Sequence, residues 1–323
     1  MPVEVPKDSW PGSVNTVTLG AASDQGGSRS ATVTIGGERS LPFMHFENPT
    51  PHRPVIAMEI TAAHPGNWSS VLLETWGSTA DDPAAWARAC EEAGADLVLL
   101  QFGLEGTGDE PVTADFAVDA VKKVLEATGL PLVVLGPGQS EVDNEILVPV
   151  ADATKGERIV LGLCEEGNYR TIVAAAMAND HLVLGKTPMD VNLAKQLNIL
   201  MTDMGLPLDR IVMDPTTGAL GYGIEYGYSV MERLRLAALQ GDAMTQLPML
   251  VNPGAETWKA KESKVGEGVP DGWGEWVERG VNWETLTAVS LIEAGADAVV
   301  LRHPESLKRV RAAIGELMAS ETV

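Results

Sequence analysis

From residue 55 onward the chain alternates short, near-continuously apolar runs with longer segments in which apolar residues recur at helical spacing. Eight such runs stand out: Val55–Ile60, Asp96–Phe102, Leu132–Leu135, Arg158–Cys164, Leu182–Lys186, Arg210–Asp214, Met249–Asn252 and Asp297–Arg302. A strand that is apolar on successive residues is covered on both faces, as in a parallel sheet flanked by helices. Between the runs, Tyr169, Ile172, Val173, Ala176 and Met177 form a seam at i, i+3, i+4, i+7 and i+8. Leu193, Ala194, Leu197 and Leu200 nearly form another. These stripes are expected to pack on the strands, with Asn168 and Asp190 as the helix N-caps. Eight such units predict an α/β fold closed into a (β/α)8 TIM barrel over residues 55–323.

Residues 1–54 do not share this rhythm. Thr16–Leu19 and Ala31–Ile35 flank a Gly/Ser-rich stretch and predict a β-hairpin, an N-terminal extension that caps the barrel from beneath or beside. The alternative is an arm that orders only against a partner. One short repeat occurs: Glu92-Ala93-Gly94-Ala95-Asp96 returns as Glu293-Ala294-Gly295-Ala296-Asp297. Its glycine ends a helix, and its aspartate begins a strand at the barrel floor, where a structural role is the favoured reading.

Composition narrows the function. A chain of 323 residues with 45% hydrophobic and 21% charged residues can bury a large core within one barrel. Its 45 acidic against 23 basic residues leave a net charge of -22, which repels phosphate backbones and anionic lipid, so neither nucleic acid nor membrane is expected as a partner. The N-terminus lacks the basic flank and apolar core of a signal peptide, and no apolar run reaches membrane-spanning length, so a cytoplasmic protein is expected. Cys90 and Cys164 fall inside regular segments and read as packed, reduced thiols. Two thiols fall short of the four ligands an iron-sulfur cluster normally takes, and the five histidines show no zinc-site spacing. A metal site built by this chain alone is therefore not expected.

In such a barrel, chemistry resides at the C-terminal ends of the strands. That ring contains Glu59, Gln101, Glu165, Lys186, Asp214, Asn252, Arg302 and His303, followed in the loops by His64, Asn168, Thr187, Thr216 and Thr217. Each also has a structural reading, since strand-end acids cap helices and Arg302 can simply pair with one of them. The densest signal is the run from Met213 to Tyr226. There Asp214, Thr216, Thr217, Gly218, Ala219, Leu220, Gly221 and Tyr222 form a glycine-rich loop whose backbone could approach a large flat or anionic ligand. Tyr222 and Tyr226 could stack on it; the plainer alternative is a tight turn. The glycine spacing is not that of a dinucleotide-binding fingerprint. A second signal is the long loop 253–281, carrying Trp258, Trp273 and Trp276, with Trp283 beyond. It reads either as an apolar anchor for another protein or as indoles packing the loop onto its own barrel.

Several of these stretches also resemble a known family: Glu47-Asn48-Pro49, the run Pro54 to Ile60, the run Asp214 to Gly223, and Glu232-Arg233-Leu234-Arg235. Together they are similar to the small subunit of the corrinoid iron-sulfur protein, the delta subunit of acetyl-CoA decarbonylase/synthase systems. The resemblance implies a non-catalytic barrel subunit of a heterodimeric methyl carrier in the reductive acetyl-CoA (Wood-Ljungdahl) pathway. It implies a larger subunit that holds the cobalamin and the iron-sulfur cluster, with the barrel capping the cobalamin at their interface. The further partners would be a methyltransferase that draws on methyltetrahydrofolate and the acetyl-CoA synthase that receives the methyl group. The loop Asp214 to Tyr222 carries over as corrin-facing backbone, whereas Lys186, Asn252 and His303 come from the strand-end reading. No Asp-x-His-x-x-Gly stretch occurs, so no histidine is expected to ligate cobalt. Two rivals stand beside this: a pterin-binding methyltransferase using Asp214, Asn252 and Gln101, and a class I aldolase using Lys186 as a Schiff base.

Overall fold

The computed structural model describes residues 5–319 apart from 107 and 109. Near the N-terminus, β1 (Val17–Leu19) and β2 (Val33–Ile35) pair antiparallel as the expected hairpin. The eight apolar runs become β3 (Val55–Thr61), β4 (Leu97–Gln101), β5 (Leu132–Leu135), β6 (Val160–Cys164), β7 (Leu182–Lys186), β8 (Ile211–Asp214), β9 (Leu250–Val251) and β10 (Ala298–Leu301). Neighbours in sequence pair in parallel from β3 through β8, and β10 pairs with both β9 and β3. A parallel bridge between Met213 and Met249 brings β8 against β9 and closes the cylinder. The connecting helices are α1 (Ser70–Trp76), α2 (Pro83–Glu92), α3 (Ala114–Ala127), α4 (Ser140–Ala153), α5 (Tyr169–Asn179), α6 (Val191–Asp203), α7 (Ile224–Leu239), α8 (Pro253–Thr257), α9 (Lys261–Lys264), α10 (Trp276–Glu293) and α11 (Pro304–Met318).

Alternation within each strand divides the core in two. Val55, Ala57, Leu97, Leu99, Val212, Leu250, Ala298 and Val300 fill the barrel interior together with Val17, Leu19 and Ile35 of the hairpin. The intervening Ile56, Met58, Ile60, Val98 and Leu100 pack outward against the helices. The hairpin therefore plugs the barrel floor. Arg29 fastens it, donating to the carbonyls of Thr128 and Leu125 at 2.7 Å and pairing with Glu157 at 3.1 Å. The repeated aspartates do floor duty as well: Asp96 accepts from the Ile56 amide at 2.9 Å, and Asp297 from the Met249 amide at 2.7 Å. Each lashes one strand to the next.

Three local expectations need correction. Asn168 stands at the N-cap of α5 as expected, but its side chain does not cap the helix; it accepts from the Glu165 amide and donates to the Leu163 carbonyl, bracing the loop before the helix. Met177 and Leu193 are 39% exposed, and the buried face of α6 instead runs through Ala194, Leu197, Asn198 and Met201. Leu193 lies with Leu197 and Leu200 against a cavity of about 300 Å³ beside β7 rather than against the strands. Asp190 caps α6 as expected, accepting from the Asn192 and Leu193 amides.

The tryptophan-rich segment folds onto its own barrel. Trp258 is 2% exposed and stacks on His303, Trp276 donates to the Ser263 carbonyl, and Trp283 donates to the Leu220 carbonyl. Helical Gly280 makes room for the first of these, because a Cβ there would sit 2.6 Å from the Trp258 ring. Trp273 lies beneath the Arg279 guanidinium. An apolar anchor for another protein is thus not what these indoles provide.

Candidate functional site

The inward face that carries Val55 and Ala57 continues upward to Glu59, and the same alternation delivers Gln101, Lys186, Asp214, Asn252 and Arg302 to the barrel mouth. On one side these groups neutralise one another. Glu59, 1% exposed, accepts from Arg302 at 2.6 Å and from the side-chain Nδ2 of Asn252 at 3.1 Å. The other Asn252 atom accepts from the Ala255 amide, capping α8. Gln101 donates its amide hydrogens to the carbonyls of Phe102 and Gly136, both at 2.8 Å. Both Gln101 amide hydrogens, and one of the two on Asn252, are thus committed within the chain.

On the other side Lys186 pairs in register with Asp214, near Glu165 and Asp143. Burial raises the Asp214 carboxyl to about 6, while the Lys186 charge and a hydrogen bond from the Thr216 amide act against the shift. Asp143, on the first turn of α4, is likewise raised to about 6, chiefly by burial, with the Glu165 charge adding to it. A Schiff-base lysine is activated by an apolar or cationic setting. Lys186 instead stands among three carboxylates.

The strand-eight loop is held at nearly every residue. Thr216 sits in the left-handed region (φ 66°), unusual for a β-branched residue, and is fixed there by its amide bond to Asp214 and by its hydroxyl, which donates to the Thr187 carbonyl at 2.6 Å. The Thr217 hydroxyl accepts from the Asn252 amide at 3.0 Å. Gly218 is required, since a Cβ would lie 2.3 Å from the Gly223 carbonyl oxygen. Leu220 is clamped to α10 through its amide to Thr287 and its carbonyl to Trp283. Asp214, Thr217, Gly218 and Ala219 are buried, which leaves Gly221 and Tyr222 as the exposed crest, the tyrosine being 51% exposed. The Tyr222 hydroxyl donates to Glu262 at 2.8 Å, and Tyr226 lies exposed beyond it.

His303 stands apart from this ring. The alternation that points Arg302 inward points the next residue outward, where Nδ1 accepts from the Glu305 amide and Nε2 lies 3.2 Å from the Thr75 hydroxyl. Burial pushes its pKa down to about 4, so the ring is neutral at pH 7.

A sequence profile of the family described as CO dehydrogenase/acetyl-CoA synthase delta subunit matches residues 16–311. The chain belongs to this family. The acetyl-CoA decarbonylase/synthase complex subunit delta of Archaeoglobus fulgidus is 39% identical over 307 residues, which cover 92% of this chain and 67% of that one. The corresponding subunit of Methanopyrus kandleri is 35% identical over 314 residues, 97% and 77% of the two chains. Among solved structures, a dihydropteroate synthase from Xanthomonas albilineans with 4-aminobenzoic acid superposes with a TM-score of 0.56 at 16% identity, covering 84% of this chain and 94% of that one. One from Coxiella burnetii in complex with pteroic acid gives 0.56 at 14% identity, covering 96% and 100%. At such identities the likeness shows the (β/α)8 fold of this delta-subunit family member and nothing about its ligands. Among the described residues no helix is long and apolar enough to cross a membrane.

The strand-end reading did not include Asp143 or Trp68. Asp143 lies on the first turn of α4, whose N-cap is Gln139, and its carboxylate accepts from the Gly138 amide just before that helix. Trp68 comes from the β3–α1 loop and lies under the Arg302 guanidinium, 4.3 Å from ring centroid to Cζ. That contact has no signature in the sequence.

Proposed function

We propose that the mouth of this barrel covers a corrinoid cofactor held by a larger partner subunit, as the non-catalytic half of a methyl carrier. The iron-sulfur cluster in this reading also belongs to the partner. The observation that carries it is the strand-eight loop: backbone immobilised by bonds to Thr187, Asn252 and α10, with Gly221 and Tyr222 raised at its crest. A flat macrocycle with polar edges needs a fixed surface to lie on, and the stretch from Leu220 to Tyr222 offers peptide groups and one aromatic ring without a deep slot. Thr216, Leu220, Gly221 and Tyr222 would hold the cofactor from this side, with Lys186 and Asp214 beneath them.

When bound, a corrinoid supplies a cobalt centre that accepts and releases a methyl group. The contribution of this chain is to exclude water and oxygen from that centre through a lid already rigid before binding. The contact must open in turn, because the methyltransferase drawing on methyltetrahydrofolate and the acetyl-CoA synthase both need the cobalt face. The test is anaerobic purification of the tagged chain from its native host. The expected product is a 1:1 complex with a larger chain containing cobalt and iron; recovery of the chain alone, or with a cobalt-free partner, would contradict the proposal.

A further inference from the structure

At the opposite end of the barrel, the chain that leads from the hairpin to β3 packs against α7 and the turn between α10 and β10, enclosing a cavity of about 20 Å³. That volume has room for a single water and for no hydrated counterion. Its walls include Glu38 and Phe43 of the connecting segment, Arg235 of α7 and Asp297 just before β10. Two carboxyls thus meet one guanidinium. The side chains of Glu38, Arg235 and Asp297 are 13%, 3% and 3% exposed, so water does little to screen them.

The guanidinium is already committed. One terminal nitrogen of Arg235 donates to Asp297 at 2.8 Å and to the Gly295 carbonyl, and Asp297 accepts in addition from the Met249 amide at 2.7 Å. The other terminal nitrogen lies 3.5 Å from Glu38, outside hydrogen-bond geometry, and the buried Glu38 Oε2 has no hydrogen-bond partner among the described residues. Beyond its own amide, what the Glu38 carboxyl meets is the Asp297 carboxyl, which can bond to it only through a proton. With both acids ionised, the site would hold one unpaired negative charge away from solvent, a costly arrangement. With Glu38 protonated the site is neutral: its O–H donates to Asp297, and Asp297 keeps its pair with Arg235. No other charged group lines the cavity. His45 and Arg53 of the same segment turn to the Leu317 carbonyl and to Asp96, and Glu232, Arg233 and Glu293 on α7 and α10 are exposed.

We propose that a proton shared by Glu38 and Asp297 is the clasp that fastens residues 36–54 to the barrel floor, and that its loss on the alkaline side releases this segment while the barrel stays closed. The Glu38 carbonyl also accepts from the Val14 amide at 2.9 Å, so the clasp steadies the chain on both sides of the hairpin. Burial, with the Asp297 charge second, raises the Glu38 carboxyl from 4.5 to about 8 against the pull of Arg235. Because the folded value lies above the unfolded one, the fastening is complete below about 4.5 and is lost as pH rises through 8.

Hydrogen–deuterium exchange of the full chain across a pH series, corrected for the chemical exchange rate at each pH, tests the clasp. In peptides covering residues 36–54 the parent is expected to lose protection by about tenfold per pH unit on the approach to pH 8, the slope that one linked proton gives, while peptides of β4 and β5 keep theirs. Glu38→Gln, whose amide donates to Asp297 without titrating, is expected to leave the segment protected and to abolish that slope. A flat profile in the parent, an equal slope in β4 and β5, or the parental slope in Glu38→Gln overturns the assignment. Should Glu38→Gln not fold, Glu38→Met replaces it: an unbranched apolar side chain carries no proton and leaves Asp297 paired with Arg235. The slope is expected to vanish there too, and its persistence overturns the clasp.

Discussion

His181 shows how far a single buried group governs the stability of this barrel. It is fully buried just before β7, with Nε2 donating to the Ala151 carbonyl at 2.9 Å and Nδ1 without a partner among the described residues. Burial lowers its pKa from 6.5 to about 4. A folded-state pKa below the unfolded value means that this contribution is complete above about 6.5 and is lost as pH falls toward 4. Asp214 and Asp143, raised to about 6, act in the opposite sense: their contribution is complete below the ordinary carboxylate range and lost as pH rises through 6. The two trends offset each other in the unaltered chain, and a variant separates them. Going from pH 7 to pH 5, His181→Asn is expected to lose about 2 kcal/mol less stability than the parent, read from urea midpoints at the two pH values. Equal losses would show that the ring is already charged in the folded protein.

At the scale of elements, the hairpin is as much a part of the core as any barrel strand. Leu19 and Val17 are fully buried against the inward faces of the strands, so Leu19→Ala is expected to destabilise the whole barrel by about 2–5 kcal/mol in thermal or urea unfolding. A loss below about 1 kcal/mol would mean that the hairpin is a detachable arm. The barrel strands were legible in the sequence because two-sided burial writes an unbroken apolar run, and the end of each run marks the mouth where Glu59, Gln101, Lys186, Asp214 and Arg302 stand. The helical seams were less legible, since a methionine or leucine one step off the seam, such as Met177 or Leu193, breaks no periodicity rule while facing solvent. Composition could not tell what the indoles of residues 258–283 pack against, because an indole on its own barrel and one reserved for a partner read alike. Nor could spacing disclose that Glu59 and Arg302, 243 residues apart, neutralise each other. The strand-eight loop was legible as glycine-rich; its rigidity was not, because the bonds that fix it come from β7, Asn252 and α10.

For the molecule as a whole, a floor closed by the hairpin and a mouth fringed by a fixed loop leave one end of the cylinder to meet a cofactor. The chain's net charge of -22 disfavours a partner that approaches through phosphate. The central claim, that the mouth and no other face covers a corrinoid held by a partner subunit, is tested most directly by hydrogen–deuterium exchange. The chain would be measured in complex with that subunit, with and without its corrinoid. Protection that depends on the corrinoid is expected in peptides covering residues 214–223 and the strand ends around Gln101 and Arg302, with exchange at the β1–β2 hairpin unchanged. Corrinoid-dependent protection at the hairpin or along the outer faces of the helices, with residues 214–223 exchanging as in the free chain, would contradict it.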